Sequence, residues 1–203
     1  MVESKDEGNG MFKKLVPLFL VLLLVGGILY LVRTRGDEPT NEPTTEAVQQ
    51  AQEVMAKVSL PGGVELSVPE GAFNFRLAQF LADANDKALP RTFVFDHLNF
   101  ESASPKITPE SEQTLKDLTA ILRAYPAVKV RLEGNTDSVG AKEANKMLSQ
   151  NRADAIRATL VANGVDAKRL ETTGWGEEKP ISPNDTEEGR AKNRRLEMTV
   201  LSK

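Results

Sequence analysis

Hydrophobic positions follow three different patterns along the chain. From Leu15 to Val32 they are continuous, LVPLFLVLLLVGGILYLV, with no charged residue. A helix of that length is about 27 Å long, close to the hydrocarbon thickness of a bilayer. Lys13 and Lys14 precede the run and Arg33 and Arg35 follow it, so long cationic side chains can reach both interfaces, and Tyr30 lies where an interfacial aromatic belongs. Pro17 falls in the first turn, where a missing N–H costs little. Val25 and Gly27 resemble a signal-peptide cleavage site, but apolar sequence continues from Ile28 to Val32. A signal peptide's apolar region is about 7–15 residues and ends near the cut. The pattern predicts a single uncleaved transmembrane helix over 15–32, with residues 1–14 as a short tail.

Residues 33–58 change character. Arg35 to Glu46 is polar, with two prolines and several acidic residues, and reads as a linker. Val48, Ala51, Val54, Met55 and Val58 recur at helical spacing, so 47–58 is either a short amphipathic helix or more tether. A flexible tether of this size spans roughly 27 Å on average and about 80 Å extended. Residues 59–90 predict a small extension: a strand at Val64, Leu66 and Val68, then a helix capped by Asn74 with Phe75, Leu77, Ala78, Phe80 and Leu81 inward. Its apolar face requires a surface to pack on, which the following domain can supply.

From 91 to 203 strand and helix periods alternate. The aromatic-rich TFVFDHLNF predicts a strand containing His97. Thr108 and Pro109 open a helix with Leu115, Leu118, Ile121 and Leu122 on one face. Val128, Val130 and Leu132 alternate as a half-buried strand, and the turn Gly134–Gly140 leads into a long helix closed by Asn163-Gly164. Arg169–Gly174 predicts a short strand, Trp175–Gly189 a loop, and Leu196, Met198 and Val200 a final strand. The expected fold is an α/β (α+β) two-layer sandwich of βαβαββ type, both helices on one face of the sheet.

Composition removes several function classes. Net charge is −3 over 203 residues, without the cationic surplus that nucleic-acid binding needs. No cysteine is present, which excludes disulfides, thiolate metal sites and a cysteine nucleophile. With His97 the sole histidine, metal clusters and histidine-based hydrolysis lack their residues, and no nucleophile-elbow motif accompanies it. No enzyme, metal or cofactor is predicted. An ion-coupled stator needs an ionisable residue within its span, and 15–32 contains none.

One residue of the long helix breaks its pattern. Leu148, Ala155, Ile156, Thr159 and Leu160 form the inward stripe, and Arg152 lies on that face, four residues from both Leu148 and Ile156. A guanidinium is seldom buried alone, because its desolvation costs several kcal/mol. Either it pairs with Asp137, Glu143 or Asp154, or its head and Asp137 meet a ligand at the mouth between strand and helix. Pattern alone leaves both readings open.

The segments LEGNTDSVG, NKMLSQNRA, GWGEEKP and NDTEEGRAKNRRLEM, in that order, resemble the signature of the OmpA-like C-terminal domain shared by OmpA, MotB and Pal proteins. The likeness runs from about Phe93 to Leu201. It implies a non-catalytic module that binds peptidoglycan, with Asp137 and Arg152 holding the diaminopimelate of the stem peptide. It further implies supporting contacts from Glu101, Ser102 and Ala103, from Thr136 through its backbone and from Asn145. Asn193, Arg194 and Arg195 match the family's closing NRR, for which a mainly structural role is expected. Asn135 stands where most members have histidine. The charge bias around the span is too small to orient it. The resemblance orients it instead, with the N-terminus in the cytoplasm, the span in the inner membrane and the domain in the periplasm of a diderm bacterium. The expected partners are peptidoglycan and, through 15–32, the lipid bilayer, with homodimerisation left open.

Overall fold

The computed structural model describes residues 54–203. The expected tail 1–14, the span 15–32 and nearly all of the linker lie outside them. Among the described residues no helix is long and apolar enough to cross a membrane.

The first element corrects the expectation for the linker's end. Met55–Leu60 is not helical but a strand, β1, paired antiparallel with β2 at Val64–Pro69 around the Pro61-Gly62-Gly63 turn. The same apolar residues fit either period over so short a stretch, and the strand partner decides between them. Ala56, Val58 and Leu60 face inward and alternate with exposed Lys57 and Ser59.

Helix α1, Phe73–Ala82, starts one residue before Asn74, whose side chain is therefore no cap. Asp96, 23 residues further on, accepts the Phe73 N–H with both carboxylate oxygens at 2.9 Å. A carboxylate at a helix N-terminus is favoured by the orphan N–H groups and the dipole. Asn74 is buried and donates through Nδ2 to the Thr114 carbonyl at 3.0 Å. Phe73 stacks on Phe95 with ring centroids 4.0 Å apart, and Phe80 leans on Phe93 at 5.6 Å. These contacts join residues 55–82 to the core of the following domain.

The main sheet contains β3 (Arg91–Val94), β4 (Lys129–Asn135), β5 (Leu170–Gly176) and β6 (Leu196–Ser202), in the order β3-β6-β4-β5. The β4–β5 pair is parallel, whereas β6 runs antiparallel to both β3 and β4. Helix α2, Glu112–Ala124, returns the chain from β3 to β4, and α3, Lys142–Ala162, from β4 to β5. A short α4, Glu187–Asn193, occupies part of the stretch expected as loop before β6; Thr186 caps it by accepting the Gly189 N–H. Leu115, Leu118, Ile121 and Leu122 of α2 join Ile156 and Leu160 of α3 over Val130, Leu132, Met198 and Val200. Both major helices thus share this core with the sheet.

Two details place the site. Strand β3 is shorter than TFVFDHLNF suggested. After Phe95 pairs with the Leu196 carbonyl the chain turns at His97, φ 45°, which is exposed rather than within a strand. Helix α3 rests on glycines: a Cβ at Gly134 would collide with the Ser149 carbonyl, and one at Gly174 with the backbone of Gln150. Its buried stripe is accordingly Asn145, Ser149, Ala153, Ile156 and Leu160, turned slightly from the expected one. The close approach selects small residues over Leu148 at the centre.

Candidate functional site

A groove of about 670 Å³ opens where β3 and β4 end and β6 begins. The loop after β3 (Asp96 to Phe100, then Ser102 and Ala103), Asn135, Arg152 of α3, and Ala191, Lys192 and Arg194 to Leu196 line it. Strands running the same way deliver their following loops to one edge of the sheet, which is where α/β layers gather ligand-binding groups.

Arg152 is half-buried. Its Nε donates to the Ser104 carbonyl at 3.1 Å, and the guanidinium lies 5.1 Å from the centre of the Phe100 ring. None of the three carboxylates considered from sequence accepts from it. Asp137 pairs with Arg194, and Asp154 accepts from Gln150 and Thr172. Among the described residues Arg152 has no carboxylate partner, and its two terminal nitrogens, the fork that grips a carboxylate, have no acceptor. Burial pulls its pKa below the usual arginine value. It remains a cation at neutral pH.

Asp137 is 8% exposed and held from two sides. Its Oδ1 accepts the Val139 N–H at 3.1 Å, and its Oδ2 accepts from Arg194 Nη1 at 2.8 Å. Arg194 also donates to Glu187, and these bonds, Asp137's first, raise its pKa. Arg194 lines the groove, whereas Asp137, which it holds, is not itself among the lining residues. Asn145 supports the same turn from beneath: its Nδ2 contacts the carbonyls of Asp137 at 3.3 Å and Val139 at 3.1 Å.

The other expected contacts divide. Ser102 and Ala103 line the groove, with Ala103 at φ 51°, a conformation non-glycine residues seldom adopt. Glu101 is not part of the lining. Its carboxylate pairs with Lys106 at 2.6 Å and its N–H bonds the Lys106 carbonyl, so it closes the loop. Thr136 gives its backbone N–H to the Gly176 carbonyl at 2.9 Å, which leaves that donor engaged, and its hydroxyl donates to the Asp137 carbonyl. Asn193 is wholly buried and binds Ile181, Ser182 and Asn184, fixing the loop before α4. Arg195 pairs with Glu197 at 2.7 Å. Sequence reasoning did not find Phe100 and Ser104, which hold Arg152; only the aromatic run before Glu101 signalled that this stretch packs against something. Among the described residues no group of three or more His, Asp and Glu is placed to hold a metal.

The described residues thus define a mixed α/β domain with a charged groove at the ends of its strands. Residues 99–194 match the OmpA family, and the chain carries a domain of that family. It is 41% identical over 105 residues to the probable lipoprotein YiaD of Escherichia coli, covering 52% of this chain and 48% of that protein. It is 48% identical over 89 residues to the peptidoglycan-associated lipoprotein of Haemophilus influenzae, covering 44% of this chain and 58% of that one. The solved peptidoglycan-associated lipoprotein of Burkholderia pseudomallei is 32% identical, with a TM-score of 0.47 over 59% of this chain and 98% of its own. The chain spans about half the length of the curated relatives it matches.

Proposed function

We propose that this domain binds peptidoglycan without cleaving it, gripping the diaminopimelate of the stem peptide between Arg152 and Asp137. The observation that carries the reading is Arg152: a half-buried guanidinium on a groove whose terminal donors have no acceptor among the described residues. Diaminopimelate carries an ammonium and a carboxylate on one distal carbon. The carboxylate suits the Arg152 fork, and the ammonium suits Asp137, whose Oδ2 already favours a cation in Arg194. Each charge-assisted bond contributes about 1.5–3 kcal/mol. The name of the Haemophilus relative, a peptidoglycan-associated lipoprotein, supports the same polymer as ligand.

The apolar run 15–32 extends the proposal to a tether: an inner-membrane helix, a linker and a periplasmic domain that holds the wall. A fixed polymer with many stem peptides makes modest single-site affinity sufficient, because anchored copies act together through effective concentration. The test is co-sedimentation of the purified chain with sacculi. The parent pellets with them and Arg152→Ala stays in solution; an Arg152→Ala protein that pellets equally well removes the proposed role of the groove.

A further inference from the structure

We propose that Asn135 is a specificity residue that reads a peptide group of the ligand, so that the groove recognises diaminopimelate within a peptide rather than the diamino acid alone. The inference rests on the reading of the groove given above. Asn135 lines the groove and is 3% exposed, and neither Oδ1 nor Nδ2 has a hydrogen-bond partner among the described residues. Its backbone is fixed, since its N–H donates to the Arg195 carbonyl at 2.9 Å and ties the end of β4 to the start of β6. A buried carboxamide with both ends unmatched is disfavoured in the free protein, and in native structures such a group calls for a functional reason.

The chemistry of the side chain selects what would satisfy it. A carboxylate engages only Nδ2, and an ammonium only Oδ1. A peptide group presents an N–H and a C=O, and so satisfies both ends of the carboxamide at once. The charged end of the ligand already has Arg152 and Asp137, so the neutral Asn135 is left for the neutral part of the same molecule. To reach the carboxamide the ligand has to displace some of the lining. The lining that yields is the stretch from Phe100 to Ser104, which carries a positive φ at Ala103 and is hydrogen-bonded to α3 through the single bond from Arg152 Nε to the Ser104 carbonyl.

The experiment uses the full-length chain and two probes, free meso-diaminopimelate and the tetrapeptide L-Ala-γ-D-Glu-diaminopimelate-D-Ala, with binding read by calorimetry and folding by thermal melts. Asn135→Leu, which keeps the branched shape and removes both unmatched atoms, is expected to weaken the tetrapeptide about tenfold and leave free diaminopimelate within about twofold. It is also expected to melt no lower than the parent. Asn135→Ala, which adds no bulk, gives the same ligand pattern if the leucine is not accommodated. Unchanged tetrapeptide affinity overturns the proposal, and so does an equal loss for both probes, which would assign Asn135 to the charged end. Unfolding of both variants makes Asn135 structural and overturns it as well. A parent protein that binds neither probe overturns the diaminopimelate reading and this one with it, whereas a parent that binds with indifferent variants removes this one alone.

Discussion

Arg194 Nη1 donates to Asp137 Oδ2 at 2.8 Å, and this ion pair, not one between Asp137 and Arg152, is the one formed at the groove. The two cations therefore stand differently. Arg194 is 41% exposed in its side chain and shares itself between Asp137 and Glu187, whereas Arg152 is half-buried with its fork unmatched among the described residues. Removing the first frees a carboxylate; removing the second frees none.

That asymmetry separates stability from binding at Arg152. Arg152→Ala relieves a desolvated cation and orphans no charge, so its melting temperature should stay within a few degrees of the parent, about 1 kcal/mol or less, while sacculus binding falls at least tenfold. Asp137→Ala should lose binding similarly. A cooperative melt lost together with binding would make these charges structural.

The groove should also sort stem peptides by their diamino acid. Lysine offers Asp137 an ammonium but Arg152 no carboxylate, and amidation of the distal carboxylate replaces an anion with a neutral group. Each change should weaken binding by at least about 1.5 kcal/mol, roughly tenfold, in calorimetry with three soluble muropeptides. Equal affinities would show that Arg152 does not read the carboxylate.

Gly134→Ala tests how α3 is seated. The added Cβ meets the Ser149 backbone carbonyl, which cannot rotate away as a side chain would, so the helix must lift from β4. The expected loss is about 3 kcal/mol in chemical denaturation, with sacculus binding reduced because Arg152 rides on the displaced helix. A loss below about 1 kcal/mol would mean that the contact relaxes freely.

Asp117 gives a pH signature far from the groove. Burial raises its pKa, and the Gln113 amide at 2.8 Å opposes the shift only partly. The folded state therefore binds its proton more tightly than the unfolded chain, and stability falls as pH rises from the ordinary aspartate value through the raised one. Asp117→Asn should melt higher than the parent at pH 7, with the difference closing as pH is lowered to about 3. Parallel melting curves at all pH values would exclude the carboxyl as the cause.

Much of the domain could be read from residue order alone, because its elements are long enough for their period to be unambiguous. The face Leu115, Leu118, Ile121 and Leu122 makes α2 amphipathic in any context, and Val130 and Leu132 alternate whatever they pair with. Arg152 stood out for a similar reason: a cation on an apolar face is anomalous before any partner is known. Short or remote relationships were not legible. Met55–Leu60 fits two periods, and only pairing with Val64–Pro69 makes it a strand. Asn74 had the composition of a cap, but Asp96, 23 residues beyond Phe73, takes the helix end. Which carboxylate Arg152 would meet, and that Arg194 would reach Asp137 across 57 residues, depended on β6 inserting between β3 and β4. Periodicity reports what a segment wants to bury; the partner of a charge or a strand is settled by chain segments that sequence distance does not bring together, and only the packed sheet and helices fix those neighbours.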